Sequence, residues 1–376
     1  MVAMTSPAAG TAADLDRDNV IDVRNLQVEF RTSLGVVRAV NGVSFGVARG
    51  KTLGIVGESG CGKSVTAFAI MQLVANPGVI TGGEIVLRAR EKAPVNLLAY
   101  DPNGDDMRSV RGRHVGMIFQ EPMTALNPCY TIGNQIAEGI LLHRTSDPAK
   151  ADAMALDILT RVGLPSPSRL MTTYPHQLSG GMRQRAMIAL ALSCEPDLLL
   201  ADEPTTALDV TTQAQILDVM RELQDDIGMS IMFVTHNLGV VAQMCDEVAV
   251  MYLGRVVEQA PVEELFDSPR HPYTRALMRS IPQLGAARKG RLEVIQGSVP
   301  GQFTKVPGCA FHPRCPDMIP GLCDVQSPRL LAANDDALVS CFLHHEPDGS
   351  ARVSDVPTPG RVSPSSSSAI ATPPAS

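Results

Sequence analysis

The sequence predicts an α/β protein built around buried central strands, and three observations predict it. Short apolar runs ending in turn residues have the length and composition of strands covered on both faces: Thr52-Leu53-Gly54-Ile55-Val56, Leu198-Leu199-Leu200-Ala201 and Ser230-Ile231-Met232-Phe233-Val234. Helical patterns lie between them, notably Met182 to Leu192 and Thr211 to Asp226. At 376 residues, 44% hydrophobic and 19% charged, the chain can bury a large core and is neither disordered nor fibrous. That length fits one large domain, alone or with an appendage.

Taken in order, residues 1–19, of which Met1 to Ala13 are rich in Ala, Thr, Ser and Pro, read as a disordered lead-in. They have neither a basic opening nor an apolar block, so they do not read as a signal peptide. Ile21 to Phe30 alternates as a strand does, and so does Gly83 to Leu87. The run Thr52 to Val56 leads directly into Gly57-Glu58-Ser59-Gly60-Cys61-Gly62-Lys63-Ser64, the pattern G-x-x-x-x-G-K-[ST]. Glycines let the backbone wrap phosphate oxygens, and the N–H groups opening the next helix, through Val65, point into the same space. Lys63 is expected on the β- and γ-phosphates and the Ser64 hydroxyl on magnesium. Cys61 is first a small loop residue, in a place where neighbouring donors lower a thiol's pKa.

Further along, Leu178-Ser179-Gly180-Gly181-Met182 opens a helix and offers N–H donors and a hydroxyl to an anion. The strand Leu198 to Ala201 ends in Asp202-Glu203-Pro204, two acids at the strand edge where open α/β sheets bind ligands. Asp202 is the expected outer-sphere or water-mediated magnesium partner, and Glu203 the group that polarises an attacking water. Taken singly, these segments are a Gly-rich turn, a helix cap and a solvated acidic turn; their joint occurrence points to a nucleotide phosphate site. No repeat of fixed period occurs, so one copy of the core is expected.

A formal net charge of −7 argues against nucleic acid recognised through bulk positive charge. No run of about 20 apolar residues is available to span a bilayer, and a cytosolic chain is expected. Of eight cysteines, Cys61, Cys129, Cys194 and Cys245 are scattered, whereas Cys309, Cys315, Cys323 and Cys341 cluster. In a reducing compartment such a cluster points to a metal site before a pair of disulfides. The order Cys309-x5-Cys315-Pro316-x6-Cys323-x17-Cys341 lacks the two-residue spacings of zinc knuckles, and the Cys-Pro step is similar to ferredoxin-like ligation. An iron–sulfur cluster, zinc and unligated thiols all stay open on the residues alone. From about Glu346 the chain turns Pro/Ser/Thr-rich, with Ser365 to Ser368 unbroken, and reads as a disordered tail.

The order of the phosphate loop, Gln120, Leu178 to Met182, Asp202-Glu203, Asp209 and His236 resembles that of the ATP-binding cassette (ABC) ATPases. The resemblance implies a P-loop ATPase core over residues 20–279 with an antiparallel β subdomain and a helical subdomain at about 121–180. It implies that Phe30 stacks on adenine and that Gln120 touches magnesium and the attacking water. It also implies that Ser179, Gly180 and Gly181 form the signature, that Ala207-Leu208-Asp209 crosses between two cassettes, and that His236 contacts the γ-phosphate. Met182 and Asn237 depart from the residues common at those positions without removing a catalytic group. In such proteins two cassettes pack head to tail, identical or paralogous, each ATP lying between one phosphate loop and the opposite signature.

The resemblance is to the ATPases of oligopeptide/dipeptide and nickel importers in Gly57 to Gly60, in Phe119-Gln120-Glu121-Pro122-Met123-Thr124-Ala125-Leu126-Asn127-Pro128 and in His271-Pro272-Tyr273-Thr274. Similarity extends over roughly residues 20–345 and implies a C-terminal extension at 280–345 whose four cysteines hold a [4Fe–4S] cluster, with Zn2+ the alternative. It implies two membrane permease subunits, an extracytoplasmic peptide-binding protein and a peripheral position on the cytoplasmic face of the inner membrane. Import of nickel or glutathione, or a soluble ABC role without transport, are the competing expectations. The absence of long coiled-coil insertions and of a second cassette argues against the soluble role.

Overall fold

The computed structural model describes residues 18–90, 92–206, 208–280 and 295–352. The chain opens with two long strands, β1 (Asn19–Thr32) and β2 (Gly35–Ala48), followed by β3 (Thr52–Val56) and α1 (Lys63–Ile70). Next come β4 (Gly78–Leu87), β5 (Val95–Asn96), α2 (Asp105–Val110) and β6 (Val115–Ile118). A helical run follows, with α3 (Pro122–Ala125), α4 (Ile132–His143), α5 (Pro148–Arg161), α6 (Pro167–Leu170) and α7 (Gly180–Leu192). Strands and helices then alternate as β7 (Leu198–Asp202), α8 (Val210–Ile227), β8 (Ser230–Thr235), α9 (Leu238–Met244), β9 (Glu247–Tyr252) and β10 (Arg255–Pro261). The last elements are α10 (Val262–Asp267), α11 (Pro272–Arg279), β11 (Leu331–Ala332) and β12 (Leu338–Val339).

Among the described residues the strands form two sheets, an antiparallel one in the order β2-β1-β4-β5 and a mixed one in the order β11-β12-β10-β9-β3-β8-β7-β6. The strands β9, β3, β8, β7 and β6 are parallel to one another. The three runs read from sequence as doubly covered strands are β3, β7 and β8, and every residue of each is buried. Their side chains divide by the two-residue period of the pleat. Leu198, Leu200, Met232 and Val234 face the core shared with the antiparallel sheet, while Leu199, Ala201, Ile231 and Phe233 face the core shared with α7 and α8. Both faces are thus buried, which is why these runs read as continuous apolar stretches rather than alternating ones.

The helix ends are set by local chemistry. Asp147 caps α5 with Pro148 at its first position, Asp209 caps α8, and α8 stops at Gly228, whose φ of 69° suits a residue without a side chain. Between β6 and Ser179 the chain makes its helical excursion, in which α4 and α5 pack through Ile136, Ile140, Ala155 and Leu159. No helix among the described residues is long and apolar enough to cross a membrane.

The C-terminal extension is joined to the ATPase sheet. Strand β12 pairs with β10, placing Val339 opposite Glu258, and β11 pairs with β12. The chain starts β1 at Asn19 and continues past His345 to a bridge between His345 and Ala351. Most of the expected lead-in, the tail beyond Arg352 and residues 281–294 of the extension lie outside the described residues.

Candidate functional site

Four loops leave the C-terminal ends of neighbouring parallel strands and meet there, the edge at which open α/β sheets bind ligands. The phosphate loop follows β3, Gln120 follows β6, Asp202 ends β7 with Glu203 behind it, and His236 follows β8. The pairing of Ile118 with Ala201, Asp202 with Val234 and Val56 with Thr235 brings these ends level.

The loop's shape needs its glycines at two points. Gly57 has φ 154° and a Cβ there would lie 2.2 Å from Met251 O; Gly62 has φ 102° and its Cβ would lie 2.2 Å from Ala39 O. Both are positions at which a side chain meets backbone that cannot yield. Ser59 and Gly60 are exposed at the crest, and Val65 packs against the core beneath α1. Lys63 is buried, and its Nζ donates to Gly57 O at 2.8 Å and Glu58 O at 3.1 Å. Cys61 is buried too, and the sequence-based expectation of a lowered thiol pKa is corrected: burial pushes it up, outweighing the Lys63 charge.

A hydrogen-bonded cluster ties the four loops together. The Ser64 hydroxyl donates to Asp202 Oδ1 at 2.9 Å, and Gln120 Nε2 donates to Glu203 Oε2 at 3.2 Å. His236 Nδ1 lies 3.0 Å from Glu203 Oε1, and the Thr206 hydroxyl donates to Glu203 Oε2 at 2.9 Å. Burial pushes the Asp202 carboxyl up, with the Ser64 bond opposing and the nearby Glu203 charge adding to it. Burial also acts to raise Glu203, but the bonds from His236 and Thr206 and the fields of His236 and Lys63 outweigh it, leaving this carboxyl below the usual glutamate value. The Glu203 backbone has φ 47°, a left-handed conformation costly for a residue with a side chain and one that recurs at functional positions.

This arrangement suits hydrolysis of a nucleoside triphosphate. The loop offers a cation and N–H groups that could receive phosphates, Ser64, Asp202 and Gln120 offer oxygen atoms suited to magnesium, and the Glu203 carboxylate stands beside them. Thr206 was not legible in the sequence as part of the site. Nor was Gln184, which is buried in α7 and donates from Nε2 to Pro204 O, tying that helix to the turn after Glu203.

Other predicted positions stand apart from this cluster. Ser179 caps α7 by accepting from Met182 N at 3.4 Å, and Asp209 caps α8 by accepting from Thr212 N at 2.9 Å. The two caps are neighbours, because a Cβ on Gly181 would lie 3.2 Å from Thr212 Cγ2; Ser179, Gly180 and Asp209 are exposed. Phe30 lies opposite Val37 and Gly78 in the antiparallel sheet, half-buried against Val74.

The four clustered cysteines are free thiols, Cys323 and Cys341 buried, Cys309 and Cys315 half-buried. Burial raises Cys309, lifts Cys315 to about 11 and lifts Cys341 to about 12. Backbone N–H groups of Phe311 and His312 oppose this at Cys309, Asp317 at Cys315 and Leu343 at Cys341, while the charges of the other cysteines push further upward. Among the described residues, no group of three or more His, Cys, Asp or Glu side chains is drawn together closely enough to hold a metal ion.

Comparison with known proteins gives two family matches: "ABC transporter" over residues 40–206 and "Oligopeptide/dipeptide transporter, C-terminal region" over residues 257–323. A Brucella melitensis protein named for peptide import and ATP binding is 51% identical over 338 residues, 88% of this chain and 99% of its own. The dipeptide transport ATP-binding protein DppD of Bacillus subtilis is 44% identical over 330 residues, 88% of this chain and 96% of its own. Among solved structures, the dimeric post-hydrolysis state of the ATP-binding cassette MJ0796, bound to ADP and phosphate, superposes with a TM-score of 0.56 at 25% identity, covering 64% of this chain and 98% of that one.

Proposed function

The chain belongs to the ABC transporter family of ATPases, within the group carrying the oligopeptide/dipeptide transporter C-terminal region, and from that premise we propose that it hydrolyses ATP to drive peptide import through a membrane transporter. The observation that carries the catalytic part is the meeting of Lys63, Ser64, Gln120, Asp202, Glu203 and His236 at the ends of four neighbouring parallel strands. Loop N–H groups from Gly57 to Val65 cradle the phosphates, and Lys63 turns from its own loop carbonyls to the β- and γ-phosphates. Ser64, Asp202 and Gln120 would hold magnesium, which when bound neutralises charge on the phosphate oxygens. Glu203 accepts a hydrogen bond from the attacking water, and His236 and Gln120 orient Glu203 and the γ-phosphate. Phe30 stacks on adenine.

The exposed caps Ser179 and Asp209 support pairing with a second cassette, identical or paralogous. Each ATP then lies between one phosphate loop and the opposite Ser179-Gly180-Gly181 segment. Two permeases receive the motion through the helical excursion after Gln120, an extracytoplasmic binding protein delivers the peptide, and the chain works on the cytoplasmic face of the inner membrane. Cys309, Cys315, Cys323 and Cys341 would hold a [4Fe–4S] cluster, with zinc as the alternative, once their sulfurs draw closer than they stand here. Supporting that reading are the four-thiol donor set and the Ile319 N–H, which donates to Cys323 Sγ at 3.4 Å.

The decisive experiment reconstitutes the chain with its permeases and binding protein in vesicles and follows peptide uptake. ATP-dependent uptake is expected from the natural chain. Glu203→Gln should still bind ATP while uptake and hydrolysis fall at least about 100-fold, the usual loss with a group that acts on the attacking water. Undiminished hydrolysis by Glu203→Gln would remove Glu203 from the reaction, and ATP turnover without uptake of any peptide would remove the peptide-import reading.

A further inference from the structure

The phosphate loop carries an acid as well as a lysine. Glu58 lies in a loop that must receive a polyanion, where an unpaired carboxylate would oppose binding. Its partner comes from the far end of the chain: Arg314 Nη1 donates to Glu58 Oε2 at 2.7 Å and Nη2 to Oε1 at 3.1 Å, a two-pronged pair. The Arg314 side chain is 4% exposed and that of Glu58 26%, so solvent reaches the pair mainly from the carboxylate side. The guanidinium is also held from behind, by Gln296 O at 3.1 Å and the Tyr252 hydroxyl at 3.3 Å, over the rings of Tyr252 and Phe311. The backbone of Glu58 is gripped as well: its N–H donates to the Tyr273 hydroxyl at 2.9 Å, and its carbonyl accepts from Lys63.

We propose that Arg314 is a positioning residue of the ATP site, reaching in from the C-terminal extension to cancel the charge of Glu58 and hold it, so that the phosphate loop and Lys63 accept the triphosphate. The proposal rests on the ATP reading of that loop. It makes the extension part of the nucleotide site, because Arg314 directly precedes Cys315 and its orientation depends on how that segment folds. Arg314 acts on the site through Glu58.

The test measures the affinity of a fluorescent ATP analogue for the full-length chain, together with KM and kcat for ATP. Arg314→Ala should weaken affinity and raise KM roughly tenfold while kcat at saturating ATP stays within about twofold, as one uncancelled charge near a polyanion predicts. Adding Glu58→Gln to Arg314→Ala removes the stranded carboxylate and should bring affinity back to within about twofold of the natural chain. A brace needed only for folding would not be rescued in this way, so failure of rescue overturns the proposal, as does unchanged affinity in Arg314→Ala. Should Arg314→Ala not fold, Arg314→Lys keeps a charge but loses the fork and should weaken affinity several-fold with a native melting curve; natural affinity there overturns the proposal equally. If the natural chain itself takes up no nucleotide, it is the ATP reading that fails.

Discussion

At the scale of single residues, Glu203 is the carboxylate on which the loops converge. Its left-handed backbone turns the carboxylate into reach of Gln120, Thr206 and His236 at once, contacts an extended residue at the end of β7 would not make together. The cost of that conformation, about 1–3 kcal/mol, is met by the fully buried strand on one side and the bond from Glu203 N to Val234 O on the other. Because His236 helps hold the carboxyl below its ordinary value, removing it should act in a definite direction. In His236→Ala the Glu203 midpoint should rise, followed by carboxyl-region NMR on the isotope-labelled chain. A midpoint that does not move would show that Thr206 and Lys63 suffice, and that His236 serves the phosphate only. Glu203 itself was legible from two letters after an apolar run. Thr206 and Gln184 were not, since a threonine in a turn and a glutamine inside a helix carry no local signal of the partner they meet.

At the scale of elements, helix α11 shows how a short motif can be structural. His271 is buried and accepts from Tyr273 N at 3.0 Å through Nδ1, capping the helix, while its own N–H and that of Arg270 donate to the buried carboxylate of Glu258. This cap also aims the Tyr273 hydroxyl at the phosphate loop, so the His-Pro-Tyr turn has a structural task that sequence reasoning did not assign. Burial, with the charges of Arg275 and His344, pushes His271 down to about 3, against about 6.5 when the chain is unfolded. Between those values the unfolded state binds a proton that the folded state does not. Stability is therefore complete above the unfolded value and is lost as pH falls through about 6.5 toward 3. Asparagine can cap but cannot titrate. His271→Asn should thus lose about 2 kcal/mol less than the natural chain between pH 7 and pH 5, measured by denaturant unfolding at each pH. Equal losses would mean that the histidine is not the group being protonated. Strands β3, β7 and β8 were legible because burial on both faces leaves a continuous apolar run. Strands β11 and β12 were not: two residues each, they exist through pairing with β10 and with one another.

The whole molecule depends on a weakly cored extension being kept in place. From residue 295 to 352 the buried apolar side chains among the described residues are Phe311, Cys323, Ala337, Val339, Cys341 and Phe342, too few to offset the ordering of so long a segment. Pairing of β12 with β10 and the Arg314–Glu58 bond supply part of what that core lacks, and a group on the four cysteines, as proposed, would supply more. Prepared without oxygen, the full chain should contain iron and acid-labile sulfide, and Cys309→Ser should lose both and melt at a lower temperature. Zinc in their place would show that the thiols close on a single ion, and neither element would leave them as free thiols. Pairing with a second copy or a relative, as proposed, would cover the caps at Ser179 and Asp209, which are exposed together with Ser59, Gly60 and His236.

What the sequence determined by itself was everything carried by contiguous chain: the phosphate loop, whose glycines and lysine act through their own backbone, the doubly buried strands, the acid pair and the capped helices. These are legible because periodicity and backbone preference are local properties. The tertiary structure decided which distant groups meet. Only the strand order brings Gln120, Ser64 and His236 to the two acids, and only the folded extension sets Arg314 against a residue 256 positions away in Glu58. Such contacts leave no local trace, because they form only once burial elsewhere has repaid the entropy of closing so long a loop.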